Sequence, residues 1–244
     1  ISSLTTDQVT SLTTDQVSSL STAQIVALTT HQVVSLTTDQ AMSLKTAQMA
    51  ALTSAQLSAL ETDDLQVLNT AQLTALTTAQ VPYLSTAQVV ALTTDQVPSL
   101  KTAQLAAMST VQLTALETDD LVTLGTAQIR SLTTDQISSL TTDQVTSLTT
   151  GQIGSLSTSQ IMALSTSQII SLTNEQVSTL TKTQLAALTT QQMSAIEVDD
   201  VPYIAVSQIS GLSTTQLSAM TDSQTASFND LQRAAMTTAQ LASL

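Results

Sequence analysis

The chain repeats itself every eight residues, and so strict a period removes most of the folds open to 244 residues. Written in phase it reads ISSLTTDQ, VTSLTTDQ, VSSLSTAQ, IVALTTHQ and on to RAAMTTAQ, thirty octads without insertion, followed by the stub Leu241 to Leu244. A regular sequence of this kind demands a periodic fold. One octad cannot bury its own aliphatic side chains, so neighbours must stack around a continuous core. The sequence therefore predicts a single uninterrupted solenoid over residues 1–244.

Position one of each octad is Val, Ile, Leu or Met, with Ala41, Thr225 and Arg233 as departures. Position four is Leu or a replacement such as Met108, Ile196, Phe228 or Met236. Positions five and six are mostly hydroxyl residues, and position eight is Gln except at Asp64, Asp120 and Asp200. One long helix does not fit. Eight residues at about 100° each overshoot two turns by roughly 80°, so the apolar stripe would wind around the axis faster than a partner could follow.

A chain of very short helices does fit. Thr13 followed three residues later by Gln16 is a capping-box pattern, and Leu12 and Val17 flank it as a hydrophobic staple would. The signature recurs in nearly every octad, so a helix should restart about every eight residues. The cap can be drawn at position five or at position six, and both frames stay open. Pro82, Pro98 and Pro202 fall inside the proposed helices at position two, where proline lacks its N–H and clashes with the carbonyl four residues back. Those segments must be about one turn long or must open at the proline. The expected class is an all-α solenoid with one helix per octad. The alternative is a β-solenoid with one strand per octad, favoured by Thr and Val but not by the Ala, Leu, Met and Gln content or by only four glycines. Gln at position eight is placed to form a ladder between coils that satisfies free backbone groups. Position four, the most uniform side chain, is expected to be the most deeply buried.

A longer period lies inside the array. Residues 25–80 align with 81–136 at a spacing of seven octads: Lys45-Thr46-Ala47-Gln48 matches Lys101-Thr102-Ala103-Gln104. Duplication of a seven-octad block explains this; a whole number of superhelical turns in seven octads is the alternative. The same spacing relates the acidic tetrads Glu61-Thr62-Asp63-Asp64 and Glu117-Thr118-Asp119-Asp120, and a third copy follows at Glu197-Val198-Asp199-Asp200. Wherever position five becomes Glu, position eight becomes Asp, which suggests that the two side chains meet. Acids at a helix start are ordinarily solvated and stabilised by the helix dipole. The functional alternative is a calcium site built from Glu61, Asp63, Asp64, Glu117, Asp119, Asp120, Glu197, Asp199 and Asp200 as hard oxygen ligands, although no Gly-bearing calcium loop accompanies them.

No catalytic, cofactor-binding or other metal site is legible. His31 is the only histidine and reads as a surface residue, the Ser and Thr residues lack a base, and there is no cysteine. Tyr83 and Tyr203 read as edge variants. The formal charge is −13, and the five basic residues are scattered, which argues against nucleic acid and anionic membrane. No apolar run approaches the roughly 18 residues of a membrane-spanning helix. The chain opens at Ile1 in mid-pattern, as a processed product or an excerpt would.

The consensus Leu-Thr-Thr-x-Gln-Val-x-Ala/Ser resembles octad tracts in very large repetitive proteins of bacterial surfaces and secreted material. That resemblance implies an extracellular or cell-surface role, structural or adhesive. The expected function is a non-enzymatic spacer, stalk or filament segment that self-associates head to tail or laterally. The degenerate last octads (Ala205, Val206, Thr225, Phe228, Arg233) read as a partial cap. The alternative function is binding to a regular surface, a glycan or ice, through ranks of Thr and Ser.

Overall fold

A computed structural model describes all of residues 1–244. It contains short α-helices and three 3-10 turns, one element per octad, and no strand. The protein is an all-α solenoid; the β alternative is ruled out. The chain divides into two compact units, Ile1–Leu124 and Gly125–Leu244, and the same construction is found within each.

Each helix is a single capped turn or little more. In Thr14–Ser19 the N-cap is Thr13, in extended backbone; its Oγ1 accepts from the backbone N–H of Gln16 at 3.2 Å, and Gln16 Oε1 accepts from the N–H of Thr13 at 2.8 Å. This settles the frame: position five caps, and position six is the first helical residue. At the other end the backbone of Leu20 turns extended and its N–H bonds the Val17 carbonyl at 3.2 Å, after which Ser21 opens the next helix. Two extended residues, at positions four and five, thus separate one helix from the next. Reciprocal caps supply partners to donors that so short a helix would otherwise leave free.

The prolines fall in the three 3-10 turns, Val81–Tyr83, Val97–Ser99 and Val198–Tyr203. There the bonds tighten to three-residue spans, as from the N–H of Tyr83 to Gln80 at 2.9 Å and of Ser99 to Gln96 at 3.0 Å. Proline at position two is tolerated because only one residue of its segment follows it and the bonds there span three residues.

Helices three octads apart pack on one another. Within the first unit Thr14–Ser19 lies on Thr38–Ser43 and Thr46–Ala51 on Thr70–Ala75; within the second, Thr134–Ser139 lies on Thr158–Ala163. The core so formed is aliphatic, and one expectation about it is corrected. Position one, not position four, lies deepest: Leu113 is 0% exposed and Leu116 3%, and Leu57 and Leu60 show the same order. The cause is placement. Position one sits on the inner face of the helix itself, whereas position four is the residue where the chain leaves the helix and one edge of the side chain nears the surface.

Candidate functional site: the glutamine ladder and its acidic rungs

The most elaborate polar arrangement in the molecule is built from position eight. Gln40 accepts from its own N-cap through Oε1 and donates through Nε2 to the carbonyls of Val9 at 2.9 Å and Leu12 at 2.7 Å. Gln72 does the same with Ala41 and Leu44, Gln88 with Leu57 and Leu60, and Gln176 with Val145 and Leu148. In each of these the offsets are 31 and 28 residues. With helices stacking at three octads and glutamines reaching back almost four, a superhelical turn takes between three and four octads. The amide is the one uncharged side-chain group that offers an acceptor and two donors at this length, so Gln can cap one helix and hold another at once.

Gln8, Gln16 and Gln24 keep their capping bonds, and their side chains are exposed. Leu4, Leu12 and Leu20 beside them are only half-buried. In the second unit Arg233 fills a role comparable to that of the ladder glutamines, from the opposite direction. Its guanidinium donates to the carbonyls of Thr225 at 2.6 Å and Phe228 at 3.1 Å, the position-one and position-four pair that a glutamine of a following turn would take. Sequence reasoning saw Arg233 as one member of a degenerate cap; the signal for its specific role was a cation at a position otherwise reserved for the core.

The acidic tetrads do not form one kind of site. Glu61, Asp63, Glu117, Asp119, Glu197 and Asp199 are exposed, while Asp64, Asp120 and Asp200 are buried. The expectation of solvated acids therefore fails at position eight, because that position points into the ladder. Glu61, Glu117 and Glu197 serve as N-caps without a side-chain bond, and no hydrogen bond joins Glu61 to Asp64. Burial, then the neighbouring charges of Glu61 and Asp63, push the Asp64 carboxyl up to about 6. Burial, Glu197 and Asp199 do the same to Asp200, also to about 6, and Asp120 is raised by burial, Glu117 and Asp119. No group of three or more His, Asp or Glu side chains is gathered where it could hold a metal ion. The calcium candidates are thus dispersed, one of each tetrad inside and two outside.

The remaining singled-out residues lie on the surface. His31, Tyr83 and Tyr203 are exposed. Position-five hydroxyls are engaged as caps, as Thr53 is with the N–H of Gln56 at 3.2 Å, while position-six threonines such as Thr70, Thr78 and Thr86 face outward. Val26, Val34 and Met42, at position two of consecutive octads, are exposed apolar side chains beside them. No helix is long and apolar enough to cross a membrane.

Three stretches, residues 18–46, 57–94 and 113–150, match the family model of the ALTTAQ repeat. These matches place the chain among repeat proteins of similar sequence grammar. No curated protein matches it.

Proposed function

We propose that the protein is a non-enzymatic structural module, an extracellular or cell-surface spacer, stalk or filament segment that associates through its ends or its sides. The observation that carries the reading is the ladder. Nearly every recurrent polar side chain with chemistry to offer, the Gln amide and the position-five hydroxyl, is committed to holding turns and caps. Support for association comes from the ladder, whose carbonyl pairs fit the glutamines of any turn of this repeat, and from the exposed apolar side chains of Val26, Val34 and Met42. The extracellular placement rests on the resemblance to large bacterial surface repeats. A concentration series followed by light scattering and electron microscopy tests the association. End-to-end or lateral oligomers support it; monodisperse monomers at high concentration overturn it.

The second reading, a binding module for a glycan or an ice surface, has one observation in its favour: the outward threonines recur at a fixed spacing beside exposed apolar side chains. Thermal-hysteresis and glycan-binding measurements decide it, and a flat result in both removes it.

A further inference from the structure

The aspartate rungs break the rule that the rest of the ladder obeys. At the offsets kept by Gln40, Gln72 and Gln88, a glutamine at position 64 would lay Nε2 against the carbonyls of Val33 and Leu36. Asp64 stands there instead, one methylene shorter, 2% exposed, and with Oδ2 buried and without a hydrogen-bond partner. Asp200 repeats the arrangement below Ile169 and Leu172, with its Oδ2 also buried and unpartnered. An ionised carboxylate at such a place is an acceptor facing acceptors, the most unfavourable way to bury it. A protonated carboxyl has one O–H to donate and is neutral.

We propose that Asp64 and Asp200 are proton-binding rungs: protonated, each donates from its carboxyl O–H to a carbonyl of the preceding turn, and ionised, each loosens the ladder at that octad.

The surroundings favour the protonated form. Around Asp64 stand Glu61 and Asp63 on its own helix and Asp39 on the packed helix Thr38–Ser43; the other packed helix, Thr86–Val90, carries no charge, and His31 lies on the helix that supplies Val33. Around Asp200 stand Glu197 and Asp199, with Glu175 and Asp222 on the two packed helices. No Lys or Arg lies on any of these elements. Both carboxyls are raised from 3.8 to about 6, so the stabilising contribution is complete below the unfolded value and is lost as pH rises through about 6. A metal ion is the weaker fit, because calcium asks for six to eight oxygens and no three acids converge here.

The experiment compares thermal melting of the native chain with that of the double variant Asp64→Gln/Asp200→Gln across about pH 4.5 to 7.5, with and without calcium chloride. The variant restores the residue that the repeat itself uses, so it keeps the fold. The expected result is that the native melting temperature falls by several degrees more than the variant's as pH rises, with the gap widening from about pH 4.5 up to about pH 6 and levelling off above it. In the native chain, carbon-13 NMR should place the titration midpoints of Asp64 and Asp200 at about 6. Parallel melting curves overturn the proposal. So does a calcium-induced rise at neutral pH in the native chain alone, which would make the rung a cation site.

Discussion

Gln72 donates from Nε2 to the carbonyl oxygen of Leu44 at 2.8 Å, joining the start of one helix to the end of another 28 residues earlier. Its Oε1 meanwhile accepts from the N–H of Asn69, the cap of its own helix, at 2.9 Å. The two bonds make the same side chain responsible for local structure and for stacking. Gln72→Met, similar in length but without donor or acceptor, removes both. Leaving buried backbone groups unsatisfied costs about 1–3 kcal/mol each. Hydrogen exchange should show the loss concentrated at residues 41–44 and 69–75, with more distant octads unaffected, because stacking interactions in a solenoid are between neighbours.

The depth order of the core has its own test. Leu113→Ala and Leu116→Ala each leave a cavity and should each lower stability by about 2–5 kcal/mol. Leu113, enclosed on every side, should stand at the upper end, and Leu116, whose edge nears the surface, below it. Denaturant melts of the two variants measure the difference; a larger loss at Leu116 would contradict the packing described.

The two ranks of hydroxyls should separate cleanly. Thr53→Ala removes an acceptor from the N–H of Gln56 and should lower stability by about 0.5–2 kcal/mol. Thr86→Ala, at an exposed position six, should stay within about 0.5 kcal/mol of the native chain. Lys45, Lys101 and Gly125 already occupy position five, where the Gln Oε1 bond alone remains, so the Thr53 variant should still fold. Thermal melts of both variants provide the check.

Arg233 closes the carbonyls of Thr225 and Phe228 with two prongs of one guanidinium. Lysine, a single point charge, cannot make the same pair of bonds. Arg233→Lys should therefore increase amide exchange around residues 225–236 while leaving the first unit unchanged; unaltered protection there would mean that the guanidinium bonds contribute nothing.

Much of this architecture was legible in the octad. The capping box in Thr13 to Gln16 marks the helix starts directly, and Gln at position eight announced a ladder because an amide recurring at every repeat needs recurring partners. The choice between caps at positions five and six was not legible, since Thr occupies both and either hydroxyl can cap. It took the backbone of Thr13 and the Gln16 bonds to separate them. The depth of position one is not legible, because sequence uniformity at position four reflects the constraint of leaving the helix as well as burial. The acidic tetrads misled in the same way. Asp64 reads with Glu61 and Asp63 as part of a solvated cluster, whereas its position in the octad, the slot of the ladder glutamine, sets it apart. A cation at position one sets Arg233 apart in the sequence, but its partners, the carbonyls of Thr225 and Phe228, are visible only in the structure.

The fixed offsets of 28 and 31 residues divide mutations of the gene into two kinds. Loss or gain of a single codon between two rungs pulls the glutamine away from its carbonyls and its core neighbour to the wrong face. Unequal recombination between octads, by contrast, hands every glutamine an equivalent pair of carbonyls, as it does every leucine an equivalent neighbour. Selection can then lengthen or shorten such a protein in whole steps, with its reach evolving while its contacts stay the same.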